Sequence, residues 1–185
     1  MALTAPIPTG TVTLLFTDIE GSTQRWEEWR DAMAQALRRH DELLRAAIER
    51  HDGYVFKTVG DAFCAVFSRA ADGVSAAIDA QRALAAEDWS AIGGLHVRMA
   101  LHSGATDERD GDYFGPAVNR VARLLATAHG GQVVFSDATA LLLRHVTLPG
   151  GRKKGDRRKK DVLSVVNTDF DFFRAMLFTV PVDCV

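Results

Sequence analysis

The chain has 185 residues, of which 47% are hydrophobic and 25% are charged, and its formal net charge is −2. This length and composition are typical of one well-buried globular domain with a short appendage, and no run approaches the ~18 apolar residues of a membrane span. The two cysteines, Cys64 and Cys184, lack metal-ligand spacing, and no C-x-x-C pair occurs. Because the first ten residues also lack a secretion-signal pattern, we expect a reduced, soluble, cytoplasmic protein without a membrane segment.

The first part of the chain predicts a strand, a long helix and a hairpin. GTVTLLFT at residues 10–17 is β-branched and apolar, which favours a strand. From residue 22 to about residue 50, apolar residues recur at helical spacings: Trp26, Trp29, Met33, Leu37, Leu44 and Ile48. Residues 54–59 and 62–67 predict two short strands joined by a Gly-Asp turn.

The middle of the chain predicts helices and strands in alternation. Residues 72–86 are an alanine-rich helix, and 96–103 are a strand followed by the polar turn TDERDGD. A third helix is expected over 116–129, because it begins with a proline and ends before two glycines. A strand at 132–136 and a short helix at 138–145 follow. This order predicts an α/β or α+β sandwich with helices packed on a mixed sheet.

The C-terminal part of the chain is harder to interpret. The run RKKGDRRKK at 152–160 carries +6, which leaves −8 for the rest of the chain. Such a block can bind nucleic acid or an anionic membrane, but it is more often a solvated loop, and no interleaved aromatic residue offers a stacking platform. We therefore expect no nucleic-acid partner. VLSVV at 162–166 suggests a last strand, and the Phe-rich stretch after it must bury against this domain or a partner.

Two carboxylates lie where predicted strands end. Asp18 follows the apolar run of the first strand, and Asp61 lies at the tip of the hairpin. One explanation is structural, because Asp18 or Ser22 could cap the helix that follows, and a Gly-Asp hairpin tip is common. The other is chemical: two adjacent carboxylates repel each other unless a cation lies between them, and Mg²⁺ binds one or two carboxylates together with substrate phosphates. The helix start would then offer backbone N–H groups to those phosphates, from Gly21, Ser22 and Thr23.

Three motifs together identify a family. FTDIEGST, FKTVGDAF and DYFGPAVNRVAR, in this order, resemble the catalytic domain of class III nucleotidyl cyclases, and the resemblance extends from about residue 10 to about residue 144. It implies an α+β fold with a ferredoxin-like βαββαβ core and additions, its mixed sheet covered by helices. It also implies conversion of ATP or GTP to the 3′,5′-cyclic monophosphate and pyrophosphate. On this basis residues 1–9 are an N-terminal extension, 10–163 the catalytic domain and 164–185 a tail of unknown role.

The resemblance assigns the metal site. Asp18 and Asp61 match the family's metal-binding aspartates, and Ile19 matches the residue whose backbone carbonyl binds one of the ions. Two Mg²⁺ or Mn²⁺ ions per site are implied. One lowers the pKa of the ribose 3′-hydroxyl, and the other neutralises the triphosphate and the leaving pyrophosphate.

Lys57 and Asp112 match the pair that reads the purine. Adenine presents an acceptor at N1 and a donor at its amino group, so a lysine donor and an aspartate acceptor complement it. Guanine presents the reverse pattern at O6 and N1–H. The pair therefore predicts ATP as the substrate. Outside the motif, an exposed hairpin lysine and a turn aspartate would be the simpler interpretation of these residues.

Four further residues are matched to the ribose and the phosphates. Asn119 and Arg123 are four apart and share one helix face, and they match the family's ribose-orienting Asn and transition-state Arg; a surface polar pair is the alternative. Arg98 matches an arginine that contacts the triphosphate, with a strand arginine held by a carboxylate as the alternative. GDRRKKDV at 155–162 aligns with a family hairpin and places Lys160 at a phosphate-binding lysine.

These assignments predict an adenylyl cyclase that acts as a two-fold homodimer with shared active sites. A guanylyl cyclase and a catalytically silent regulatory homologue are the alternatives, and a nucleic-acid binder built on the basic run is a weaker one. None of the six histidines lies in a motif except His102, which is expected to be structural, so we expect no histidine general base.

Overall fold

The computed structural model describes residues 7–144, residue 146 and the backbone of two short C-terminal strands. The elements, in chain order, are β1 (Gly10–Ile19), α1 (Ser22–Glu28), α2 (Arg30–Arg50), β2 (Tyr54–Val59), β3 (Ala62–Phe67), α3 (Ala70–Ala85), a 3₁₀ turn (Ser90–Ile92), β4 (Val97–Arg109), β5 (Asp112–Phe114), α4 (Pro116–Leu125), β6 (Gln132–Ser136), α5 (Asp137–Leu143), β7 (Leu163–Ser164) and β8 (Ala175–Thr179). None of the described helices is long and apolar enough to cross a membrane.

The strands form one mixed sheet of order β2-β3-β1-β4-β6-β8-β7, and β5 pairs with β4 outside this path. The β4–β6 pair is parallel, and the other pairs are antiparallel. The first four strands and the helices between them follow the order βαββαβ with the spatial order β4-β1-β3-β2. This arrangement confirms the predicted α+β fold with a ferredoxin-like core.

Two hydrophobic cores lie on the two faces of this sheet. Because successive strand residues point to opposite faces, β1 sends Leu15 and Ile19 into a core with α2 and α3, and sends Val12 and Leu14 into a core with α4. All four side chains are at most 2% exposed. Burial on both faces explains why β1 is mostly apolar between Val12 and Phe16 and does not alternate with exposed polar residues.

The helix predicted from residue 22 to residue 50 is two helices. The backbone leaves the helical region at Trp29, where φ is −133° and ψ is 53°. The indole ring of Trp29 lies against Gly93, where a Cβ atom would come within 2.9 Å of the ring. The break therefore coincides with a tertiary contact that helical periodicity does not reveal.

The polar turn predicted after residue 103 was wrong, because β4 continues to Arg109. Its second half pairs with the start of β1 (Gly10 opposite Thr106) and with β5 (Asp107 opposite Phe114). The chain reverses only at Asp110 and Gly111, whose φ angles are 53° and 80°. Strand pairing has outweighed the low strand propensity of TDER.

Smaller differences concern element ends. The strands at 54–59, 62–67 and 132–136 have the predicted limits, α3 begins two residues earlier than predicted, and α4 ends at Leu125. Of the 162–166 segment, Leu163–Ser164 is a strand, and Ala175–Thr179 pairs with β6 inside the sheet. The basic run 152–160, with Lys160, lies outside the described residues.

Two buried histidines make stability depend on pH. His40 is 0% exposed and His102 is 4% exposed, and within the described part of the chain the Nε2 atom of each has no hydrogen-bond partner. Burial lowers the pKa of His40, which Asp41 partly opposes, and burial followed by the Arg120 charge lowers the pKa of His102. At neutral pH both rings are therefore neutral in the folded protein, whereas histidines in the unfolded chain take up protons near a pKa of about 6.5.

We expect the free energy of unfolding to be greatest above about pH 6.5 and to fall as the pH is lowered from there towards the two depressed pKa values. Urea unfolding at pH 7.5 and about pH 5.5 measures the difference in the free energy of unfolding between the two pH values. His40→Gln should reduce this difference in the free energy of unfolding. His129→Gln, at a largely exposed side chain, is the control and should leave the difference unchanged. If the wild type had the same free energy of unfolding at both pH values, the two buried histidines would not be the cause of a pH dependence.

Candidate active site

Asp61, in the β2–β3 turn, lies beside the end of β1, which carries Asp18. The Oδ2 atom of Asp61 accepts the backbone N–H of Ile19 at 2.9 Å, and its Oδ1 atom accepts the Ser22 hydroxyl at 3.3 Å. Asp61 is thus bound to the residue that directly follows Asp18. The hydroxyl of Thr17, which directly precedes Asp18, accepts the Phe63 N–H at 3.2 Å and so holds β3 against β1 at the same level.

Asp18 is also paired with an arginine on the neighbouring strand. Arg98 lies opposite Asp18 in the β1–β4 ladder, and its Nε and Nη2 atoms donate to Asp18 Oδ2 at 2.9 and 2.5 Å. The side chains are 32% and 26% exposed. The alternative of a strand arginine held by a carboxylate therefore describes its contact in this structure, and its role toward a triphosphate stays a prediction. The pair places a fixed positive charge beside the Asp18 carboxylate.

The turn at Glu20 and Gly21, which leads into Ser22 and Thr23 at the start of α1, is held by a residue that the sequence analysis missed. Arg25 donates from Nη1 to the carbonyls of Glu20 and Gly21, at 2.7 and 3.3 Å, and from Nε to the carbonyl of Gly94 at 2.7 Å. Its position four residues after Gly21 is the signal that could have identified it.

The start of α1 rules out the simple capping explanation. Gly21 is the N-cap of α1, in the left-handed conformation with φ 68°, and in the described structure no side chain caps this helix. Neither Asp18 nor Ser22 therefore has the capping role considered above. Instead, the Ser22 hydroxyl is directed to Asp61.

Lys57 and Asp112 form a direct ion pair between β2 and β5. The Lys57 Nζ atom donates to Asp112 Oδ2, and Asp112 Oδ1 accepts the Tyr113 N–H at 2.8 Å. The hydrogen bond from Lys57 is the main cause that lowers the pKa of Asp112. The pair is partly exposed, 47% at Lys57 and 26% at Asp112, so the ion pair contributes little to the stability of the fold.

A bulge in β2 directs Lys57 to its position. The register with β3 shifts between Val55 and Lys57, so that Lys57 lies opposite Cys64. Burial raises the pKa of the Cys64 thiol to about 11, the Lys57 charge opposes this shift, and Asp112 adds to it. The thiol is thus close to both members of the pair. Because Cys64 also lies opposite Phe16, two residues before Asp18, Lys57 and Asp18 are on one face of the sheet.

Asn119 and Arg123 lie on the exposed side of α4. The residues that α4 buries are Ala117, Val121 and Leu124. Within the described residues, neither Asn119 nor Arg123 makes a hydrogen bond or ion pair with another side chain. Both are available to a ligand or to a second chain, and the structure does not bring them into contact with Asp18 or Asp61.

The donor set at the two aspartates fits a small hard cation. Among the described residues there is no group of three or more His, Cys, Asp or Glu side chains that could hold a metal ion alone. Two carboxylates and the adjacent carbonyl of Ile19 are the oxygen donors available. Such an incomplete set suits Mg²⁺, whose remaining positions are taken by water and by substrate phosphates.

Comparison with known proteins places this fold and these motifs in one family. Residues 5–162 match the adenylate and guanylate cyclase catalytic domain, and the chain belongs to that family. It is 43% identical over 138 residues to an uncharacterised protein of Mycobacterium tuberculosis, covering 74% of this chain and 46% of that protein. It is 36% identical over 156 residues to an adenylate cyclase of Podospora anserina, covering 71% of this chain and 7% of that enzyme. The chain thus spans less than half the length of these relatives.

Solved structures show the same fold. An adenylate cyclase domain from Trypanosoma brucei, described as monomeric, superposes with a TM-score of 0.69 at 31% identity, over 74% of this chain and 78% of that one. A monomeric guanylyl cyclase domain of the RhoGC fusion protein from Blastocladiella emersonii superposes with a TM-score of 0.66 at 22% identity, over 73% and 85% of the two chains. The latter likeness concerns the fold alone. Because the neighbours include both adenylate and guanylyl cyclases, a preference for ATP or GTP has to be argued from the side chains of this chain.

Proposed function

We propose that this protein is an adenylyl cyclase that converts ATP to 3′,5′-cyclic AMP and pyrophosphate. The observation that carries the proposal is the Lys57–Asp112 pair, whose lysine lies on the same face of the sheet as Asp18. Relatives named adenylate cyclases, at 34–38% identity, support it. A guanylyl cyclase is the second candidate, because guanylyl cyclase domains are among the structural neighbours.

Asp18, Asp61 and the Ile19 carbonyl are the groups that would hold Mg²⁺ or Mn²⁺. When bound, such ions make the ribose 3′-hydroxyl more acidic and neutralise charge on the triphosphate. Arg98, fixed beside Asp18, and the start of α1 at Gly21, Ser22 and Thr23 are proposed to bind the phosphates, with Lys160 as a further phosphate ligand.

The Lys57 ammonium is proposed to donate to adenine N1, and the Asp112 carboxylate to accept from the adenine amino group. Their mutual ion pair orients both groups before a base arrives, which lowers the cost of ordering them on binding. Guanine would bring its N1–H toward the lysine and its O6 toward the carboxylate, and each contact would place like polarity together.

Asn119 and Arg123 are proposed to act on the nucleotide held by the aspartates of a second copy. Their exposure on α4, without side-chain partners, is what supports a shared site. Asn119 would orient the ribose, and Arg123 would stabilise charge on the α-phosphate, a role worth 10³–10⁵ in rate for comparable arginines. A two-fold homodimer would contain two such sites.

Base selection gives the test of this proposal. The double variant Lys57→Glu with Asp112→Ser should lower kcat/KM for ATP by about 5- to 150-fold, because polar groups left unpaired cost about 1–3 kcal/mol. GTP turnover should fall less or rise, so that the ATP/GTP ratio of kcat/KM decreases. Arg38→Glu, a charge reversal at an exposed position of α2, is the control. An unchanged ratio in the double variant would overturn the assignment of these residues.

A further inference from the structure

Tyr113 is a buried residue next to the purine-reading pair whose hydroxyl reaches a distant part of the chain. The side chain is 2% exposed. Its hydroxyl donates to the backbone carbonyl of Pro8 at 2.5 Å, across 105 positions of sequence. Burial raises the pKa of Tyr113 to about 12, with further contributions from Glu108 and Tyr54. The hydroxyl therefore stays protonated and serves as a donor at any working pH.

The ring of Tyr113 packs against the residue next to Lys57, while Tyr113 itself is next to Asp112 in the chain. It packs on Phe56 with ring centroids 4.8 Å apart, and Phe56 packs on Phe16 at 6.3 Å. Phe56 is the residue at the β2 bulge and directly precedes Lys57. Tyr113 itself directly follows Asp112 and donates its N–H to that carboxylate at 2.8 Å.

The strand that carries Asp112 has little other support. β5 has three residues and pairs only with the end of β4 among the described strands, beyond a turn at Asp110 and Gly111. The side chain at position 112 is partly exposed. Of the three β5 residues, Tyr113 alone is buried. Its ring and its hydroxyl are therefore the contacts that anchor β5 to the core.

We infer that Tyr113 is a positioning residue for base selection. Its bond to the Pro8 carbonyl and its ring contact with Phe56 set the position of β5, and hence the position of the Asp112 carboxylate relative to the Lys57 ammonium. The segment that precedes β1 is thereby part of the base-reading apparatus, although it does not touch the base. This inference rests on the proposed function and adds a residue that determines its substrate preference.

Tyr113→Phe tests the inference, because it removes the hydroxyl and keeps the ring. We expect the ATP/GTP ratio of kcat/KM to fall about two- to tenfold, the range expected for one lost hydrogen bond. The change should lie mainly in KM for ATP, with kcat and metal dependence near those of the wild type. Tyr54→Phe is the matched control, since Tyr54 is the only other tyrosine, is 39% exposed and lies on β2.

A double-mutant cycle separates positioning from general stability. In an Asp112→Ser background, Tyr113→Phe should have no further effect on the ATP/GTP ratio, because the group that it positions is gone. Pro8→Gly keeps the acceptor carbonyl on a looser backbone and should shift the ratio in the same direction, so it replaces Tyr113→Phe if that variant does not fold.

Two outcomes would overturn the inference, and they are distinguishable. If the wild type discriminates between ATP and GTP and Tyr113→Phe keeps the same ratio as Tyr54→Phe, Tyr113 does not position the pair, while the proposed function stands. If the wild type turns over neither nucleotide, the proposed function fails and the inference fails with it. A lower melting temperature with an unchanged ratio belongs to the first outcome.

Discussion

Asp61→Asn is expected to abolish the cyclisation of ATP and to leave the fold intact. The amide oxygen of asparagine can still accept the Ile19 N–H that Asp61 accepts at 2.9 Å, so the β2–β3 turn should keep its position. What is lost is a negative charge, and without it the two-aspartate site has one carboxylate, already paired with Arg98. Because charge stabilisation by a bound cation is worth several kcal/mol, turnover should fall by a factor on the order of 10³ or more.

Steady-state assays with saturating Mg²⁺ and Mn²⁺ measure this loss, and circular dichroism with thermal unfolding checks the fold. Asp31→Asn, at an exposed aspartate in the first turn of α2, is the matched control and should keep wild-type turnover. A folded Asp61→Asn protein that retained more than a few per cent of wild-type activity would remove Asp61 from the metal site.

Mixing two inactive variants should restore activity if each site is shared between two chains. Asp61→Asn damages the proposed metal half, and Asn119→Ala damages the proposed ribose half. In a mixed dimer, one site carries both changes and the other carries neither. With random exchange, half of the dimers are mixed and each has one intact site of two, so activity should return to about a quarter of that of the wild type.

A second mixture provides the control for this experiment. Asp61→Asn mixed with Asp18→Asn should remain inactive, because both changes fall on the same half and every site in the mixed dimer is damaged. Light scattering and differently tagged chains verify that dimers form and exchange. If mixed dimers of Asp61→Asn and Asn119→Ala are present and remain inactive, each site is built within one chain, and the shared-site proposal is wrong.

Much of the fold could be predicted because its signals are local. The apolar run of β1, the Gly-Asp turn between β2 and β3, and the proline that begins α4 specify their elements without reference to distant residues. The break at Trp29 and the extension of β4 to Arg109 could not be predicted in this way. The first coincides with contact with Gly93, and the second depends on pairing with β1 and β5.

The candidate site likewise has residues that could be predicted from local motifs and contacts that could not. Asp18, Asp61, Lys57 and Asp112 were found because each lies in a motif. Their partners were not, because a hydrogen bond to a backbone carbonyl leaves little trace in the sequence of either residue. Arg25 bonded to Gly94 is one such contact. Tyr113, bonded to the carbonyl of Pro8, was part of a recognised motif, yet its side-chain contact depends on the folded chain.

Identification of the product tests the central proposal most directly. The wild-type protein is incubated separately with ATP and GTP, each with Mg²⁺ or Mn²⁺, and the nucleotides are separated by chromatography and identified by mass against cyclic and linear standards. The proposed function predicts 3′,5′-cyclic AMP with an equal amount of pyrophosphate, formed from ATP with a higher kcat/KM than any product from GTP. Absence of a cyclic product from both nucleotides, or faster formation of cyclic GMP, would contradict it.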